Sequence, residues 1–253
     1  MALAVQRERL GAIALVVLAT GCGSRTLNAV TVDPQSLATD LVAHWTFDET
    51  SGAVAGDHSG NGHDGQLTGG TWISAGQFGG ALSLGLGDYV TVPNFPQATP
   101  NWTVSVWTRA SQAQLALDMN DTGTILSTEM VFAGGWQLHL DNRPAYQYFD
   151  AAYWSGSSVT DYVVVDCQCI AADLWVHLTA VFDDDAGQLT LYQNDVVVER
   201  KGLPSPIHPG DSTLYMGRWN MAQRFLAADL DDFAIWSRAL SADEIAVLSG
   251  QTP

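Results

Sequence analysis

Several kinds of residue are scarce in this chain, and each scarcity excludes something. Lysine and arginine together number ten, against 27 aspartates and glutamates, for a net charge of −17. A field of that sign repels phosphate backbones, so nucleic acid is excluded as a partner. No apolar run reaches the ~20 residues a membrane-spanning helix needs. The longest, Leu10 to Ala19, has ten. Cysteine occurs three times, at 22, 167 and 169, and no histidine spacing typical of zinc sites accompanies it. No Gly-x-Ser-x-Gly is present, and the histidines show no pairing pattern, so a serine triad has no support.

What is present begins with an export pattern. Arg7 and Arg9 precede the apolar run, which closes in Leu18-Ala-Thr-Gly-Cys22. Small residues before a cysteine resemble a bacterial lipoprotein box. The resemblance implies cleavage after residue 21, a lipid on Cys22, and a membrane-anchored protein of the bacterial cell envelope, inner or outer membrane undecided. An ordinary secretory signal that ends near Cys22 is the alternative. Loss of residues 1–21 removes two arginines and one glutamate, which takes the net charge from −17 to −18. Residues 22–40 lack aromatic side chains and any sustained period, and read as a lipidated tether. Export puts Cys167 and Cys169 in an oxidising compartment. Two residues apart on a strand, their Cα atoms stand at the edge of disulfide geometry, so a bridge between them requires a turn. Free thiols remain the alternative.

Residues 41–250 form one domain. Alternation of apolar and polar residues recurs throughout, punctuated by Gly, Asn and Asp. Twelve short strands follow from it: Leu41–Phe47, Ala81–Leu84, Tyr89–Val92, Thr103–Thr108, Thr124–Ser127, Trp136–Leu140, Ala145–Phe149, Trp175–Phe182, Leu189–Gln193, Val196–Arg200, Thr213–Met216 and Asp229–Trp236. That many short strands imply an all-β, two-sheet antiparallel sandwich. One helix is expected, after Leu240. Ser241 is its N-cap, Glu244 completes a capping box, and Leu240 and Ile245 make a hydrophobic staple.

The ordered pieces resemble the laminin-G-like jelly rolls of the concanavalin A-like lectin/glucanase superfamily. They run from His44-Trp-Thr-Phe-Asp-Glu-Thr-Ser-Gly52 and Asp57-His-Ser-Gly-Asn-Gly-His-Asp-Gly65, through Phe78-Gly-Gly-Ala-Leu-Ser-Leu84, Trp102-Thr-Val-Ser-Val-Trp107 and Trp175-Val-His-Leu-Thr-Ala-Val-Phe182. The last is Leu230-Asp-Asp-Phe-Ala-Ile-Trp236. The stretch from Arg109 to Asp173 departs from the pattern. Glucanases of the superfamily carry a Glu-x-Asp-x-Glu cluster on one strand. The five glutamates here, at 8, 49, 129, 199 and 244, form none, which argues against an enzyme.

The resemblance implies that the opening loop lies beside the closing strand, where Asp57, Asn61 and Asp232 would offer oxygens to a structural calcium ion. Alternation puts one of Asp231 and Asp232 inward, and Asp232 is preferred. A turn whose Asp and Asn cap their own backbone is the alternative. Lectin sites present aromatic faces beside polar groups. Trp136, Tyr146, Tyr148, Tyr153, Trp154 and Trp219 are placed for this, with Tyr153, Trp154 and Trp219 ranked first. Trp45, Trp102, Trp107, Trp175 and Trp236 read as packing residues, and His44 and His177 as structural histidines. The function implied is non-catalytic recognition of glycans or cell-surface polymers. A glycan-active hydrolase or lyase, or a protein-binding adhesion or structural module, is the alternative.

Overall fold

The computed structural model describes residues 32–33, 35–116, 123–128, 134–141, 148–154, 162–167, 171–203, 210–220 and 224–250. Cys22 and Cys169, the signal segment and most of the tether lie outside them.

Two eight-stranded antiparallel sheets make a sandwich. The strands run β1 (Leu41–Trp45), β2 (Val54–Ala55), β3 (Gly65–Thr68), β4 (Thr71–Ile73), β5 (Ala81–Leu84), β6 (Tyr89–Val92), β7 (Trp102–Ala110) and β8 (Gly123–Ser127). They continue as β9 (Trp136–Asp141), β10 (Tyr148–Trp154), β11 (Tyr162–Cys167), β12 (Val176–Asp183), β13 (Gln188–Gln193), β14 (Val196–Gly202), β15 (Leu214–Met216) and β16 (Ala228–Trp236). The first sheet is ordered β14-β13-β12-β7-β16-β5-β4, with β1 also on β16. The second is ordered β11-β10-β9-β8-β15-β6-β3-β2. At one edge the amide of Asp166 on β11 donates to Glu199 Oε2 on β14 at 2.6 Å, which joins the two sheets.

Alternation decides the core. Trp102, Val104 and Val106 of β7 face inward with Leu178, Ala180 and Phe182 of β12, against Trp136, Leu138 and Leu140 of β9 from the other sheet. Trp102 and Trp136 meet edge-on across the sandwich at 5.9 Å between ring centroids, an arrangement aromatic pairs favour. Trp45, Trp102, Trp107 and Trp236 are buried, as packing residues should be, and Trp175 is half-buried beneath the Arg109 guanidinium.

Helix α2 (Ala242–Leu248) has the expected cap: Ser241 Oγ accepts from the Glu244 amide while Glu244 Oε2 accepts from the Ser241 amide at 2.9 Å. It covers the outer face of the first sheet, with Leu240 and Ile245 buried against Val181, Tyr192, Ala234 and Trp236. Leu37 lies in the same cluster at 4% exposure. Residues 35–40, placed by the sequence in the tether, therefore pack onto the domain. One large apolar residue, Leu37, in this short segment gives no periodic signal, so composition does not reveal it.

Four strands have no counterpart in the twelve read from sequence: β2, β3, β4 and β11. β2 and β4 are two and three residues long, too short for alternation to register, and β3, Gly65-Gln-Leu-Thr68, has a single large apolar residue. A one-turn helix, α1 (Gln112–Leu115), is also additional. No helix among the described residues is long and apolar enough to cross a membrane.

Candidate functional site

The opening loop and closing strand do meet. His44 on β1 donates its amide to Asp57 Oδ1 at 3.0 Å, and its ring Nε2 lies 2.7 Å from Asp232 Oδ1 on β16. Asp57 Oδ1 also accepts the Ser59 amide at 2.9 Å, and Oδ2 accepts the His63 amide at 2.9 Å with the Ser59 hydroxyl 2.8 Å away. Burial opposes ionisation of this carboxyl, but the amides of His44, His63 and Ser59 outweigh it and hold its pKa below the ordinary value. Asn61 turns its Nδ2 to the carbonyls of Leu41 and Val42, both at 2.9 Å.

Asp57, Asn61 and Asp232 are thus brought to one neighbourhood, but not as an ion cradle. Three amides and a hydroxyl surround the Asp57 carboxylate, which leaves almost none of its lone pairs for a cation. Among the described residues no group of three His, Cys, Asp or Glu side chains is arranged to hold a metal. In this geometry the residues do not fit the calcium expected from sequence, and they match a turn that caps its own backbone.

Of the pair it is Asp231, not the preferred Asp232, that is fully buried. The register breaks between Asp231 and Ala234, and Asp232 sits at φ +47, so strict alternation fails at this bulge. Asp231 is fully buried and accepts the Phe78 amide at 2.8 Å, while Asp232 is half-buried against His44. His177 is likewise partnered, with Nε2 2.7 Å from the Ser105 hydroxyl.

The aromatic candidates separate. Trp136 is core, 2% exposed. Tyr148, Tyr153 and Trp154 lie within β10 rather than in a loop. Tyr146 is outside the described residues. Trp219, after β15, is 8% exposed, with the Arg224 guanidinium 4.5 Å from its ring centroid. It is a support for Arg224 rather than an open stacking face. Cys167 ends β11, opposite Phe149.

The sequence reading missed residues on the outer face of the second sheet. The alternation that sends Val90, Val92, Leu214 and Met216 inward puts Tyr89 and Tyr215 outward, and both are half-buried. Arg218 lies between them, its guanidinium carbon 4.3 Å from one ring centroid and 4.5 Å from the other. Farther along the same face stand Gln137 and His139 on β9, with Asp150 on β10 and Asp166 on β11. His139 Nδ1 is 3.5 Å from Asp150 Oδ1. Burial, then the charge of Arg224, pushes the pKa of His139 down to about 3, so this imidazole is neutral at pH 7. The outward positions of each strand were the available signal, but the two arginines come from a loop, where no period applies.

A laminin G sequence profile of the concanavalin A-like lectin/glucanases superfamily matches residues 84–246. No curated protein matches the sequence. Among solved structures, the botulinum neurotoxin serotype D ligand-binding domain, crystallised with N-acetylneuraminic acid, superposes with TM-score 0.65 at 18% identity, covering 84% of this chain and 51% of that one. The binding domain of Paraclostridial Mosquitocidal Protein 1 gives 0.65 at 17%, covering 84% and 52%. The receptor-binding domain of the mosaic serotype C/D neurotoxin, with tetraethylene glycol on its Hcn sub-domain, gives 0.62 at 16%, covering 84% and 51%. The chain spans about half the length of each, and identities this low speak for the fold alone.

Proposed function

Because the chain belongs to the concanavalin A-like lectin/glucanases superfamily, we propose that it is a non-catalytic recognition module for glycans or cell-surface polymers, held at the bacterial cell envelope by a lipid on Cys22. The observation that carries this reading is the outer face of the second sheet, where the half-buried aromatic rings of Tyr89 and Tyr215 flank the Arg218 guanidinium. Sugar sites combine an apolar surface for the ring with a few placed hydrogen-bonding groups. Structural neighbours named as receptor- or ligand-binding domains agree with a binding role.

A glycan array probed with the protein from residue 24 tests the reading. Binding to a defined subset of glycans is expected, and silence across all sugars, with and without a chelator, overturns it. Changing Cys22 to Ala is expected to release the protein from the membrane fraction; continued membrane association removes the lipid anchor from the proposal.

One observation favours the enzyme reading. Asp150 on β10 stands directly opposite Asp166 on β11. Opposed residues have Cβ atoms ~4.5–5.5 Å apart, a separation compatible with the paired carboxyls of retaining glycosidases. Release of reducing ends from a glycan bound on the array, abolished by Asp166→Asn, would replace the binding reading with this one.

A further inference from the structure

We propose that Arg218 and Arg224 form a recognition site for a carboxylated sugar, an acidic residue of the glycan, on the outer face of the second sheet. The proposal rests on the glycan reading above and narrows it to a chemical class.

The two arginines fall within seven residues of one another in a chain with few cations and many carboxylates. Arg109, Lys201 and Arg238 are each paired with a carboxylate. Arg218 and Arg224 are in no ion pair among the described residues, and each is held on aromatic rings instead. Tyr89 and Tyr215 both pack on the guanidinium of Arg218 and hold its orientation. Its Nε is buried and without an acceptor. Arg224 is positioned over Trp219, and its backbone carbonyl accepts the Thr124 amide at 2.9 Å. Thr124 is the register partner of His139, so Arg224 is anchored beside that histidine. His139 is the second, independent observation: its side chain is 4% exposed and its Nε2 has no hydrogen-bond partner.

An unpaired guanidinium fixed by its faces is shaped for a planar anion met edge to edge, which is a carboxylate. A phosphate dianion would also meet more repulsion from the net negative charge of the protein. The half-buried ring of Phe225, its centroid 6.4 Å from that of Tyr89, supplies apolar surface for the C–H face of a pyranose.

The test is calorimetric titration of the full chain in mild detergent with N-acetylneuraminate and glucuronate, then with their methyl esters, with neutral hexoses and with inorganic phosphate. One acid is expected to bind at least ten-fold more tightly than its ester. Arg218→Gln and Arg224→Gln should each weaken that acid at least ten-fold, with the lysine variants recovering only part because an ammonium cannot fork. Equal affinity for acid and ester, tighter binding of phosphate, or unchanged binding in folded glutamine variants overturns the proposal. If a glutamine variant fails to fold, the acid-to-ester ratio on the unaltered chain decides. Neutral sugars binding where acids do not would sink this inference and leave the glycan reading intact. Silence with every sugar here and on the array would sink both.

Discussion

His44 on β1 and Asp232 on β16 are joined by a 2.7 Å contact between Nε2 and Oδ1, 188 residues apart in sequence. The His44 side chain is 5% exposed, so a missing partner would leave a buried ring nitrogen without water to replace it. Asp232→Ala is expected to cost ~1–3 kcal/mol, the range for a buried polar group left unpaired. Asp232→Asn, which keeps an oxygen at the position, should cost less. Urea midpoints compared at fixed pH check both. A loss no larger for Ala than for Asn would mean the contact contributes nothing.

Asp57 is expected to matter more than its half-buried position suggests, because one carboxylate serves three amides. Removing it in Asp57→Ala strands donors from His44, Ser59 and His63, for ~2–4 kcal/mol in chemical denaturation. Its folded pKa is depressed, so its contribution is present above the ordinary value of 3.8 and is lost as pH falls through the folded one. The gap between wild type and Asp57→Ala should therefore narrow below about pH 4. A gap that stays constant down to pH 2 would show that ionisation is not the source.

The same arrangement predicts indifference to calcium. An ion at Asp57 would have to displace the backbone donors that already fill the carboxylate. Melting temperature is expected to be unchanged between chelator-treated protein and protein in millimolar calcium. A concentration-dependent rise would show that the loop exchanges its amides for the ion.

The fold was legible because its strands alternate cleanly over four or more residues and its helix announces itself through Ser241 and Glu244. The short strands β2 and β4 were not, since two or three residues cannot display a period, and Gly65-Gln-Leu-Thr68 of β3 offers a single large apolar residue. The bulge at Asp231 and Asp232 escaped for a related reason: its signature is a left-handed backbone at a non-glycine residue, which composition does not reveal. For the candidate site, Trp219 drew attention through its turn-like context, yet it packs beneath Arg224. The groups that face outward, Tyr89, Tyr215 and Arg218, are brought together by pairing of β15 with β6, a contact between residues more than 120 positions apart in sequence.

Arg238 and Glu244 pair through two bonds, at 2.6 and 3.0 Å, with Glu244 also capping α2. Burial works against ionisation of Glu244, but Arg238 and the capping donors prevail and lower its pKa to about 2. The stabilisation is complete above the ordinary value of 4.5 and is lost as pH falls from there to about 2. Glu244→Ala should cost ~1–2 kcal/mol at pH 7, the scale of a helix cap plus a part-exposed ion pair. The cost should fade below pH 3. Faster amide exchange confined to α2 and residues 35–40 would locate the effect; uniform exchange through the core would contradict it.

Leu37 is buried with Trp236 and Ile245, and its carbonyl accepts the Trp236 indole N–H at 2.8 Å. Arg238 donates to the carbonyls of Ser36 at 2.7 Å and Thr39 at 3.2 Å. A protein begun at residue 41 would forfeit the burial of one leucine, ~2 kcal/mol, and leave a buried indole N–H unpaired, ~1–3 kcal/mol. Against a protein begun at residue 24, it should therefore lose ~3–5 kcal/mol. For a domain of this size, at ~2–4 °C per kcal/mol, that lowers the melting temperature by about 10 °C. Leu37→Ala in the longer protein should reproduce only the burial share, because the backbone carbonyl remains. Equal melting temperatures for the two starting points would return residues 35–40 to the tether, and a Leu37→Ala loss as large as the truncation would assign the whole effect to packing.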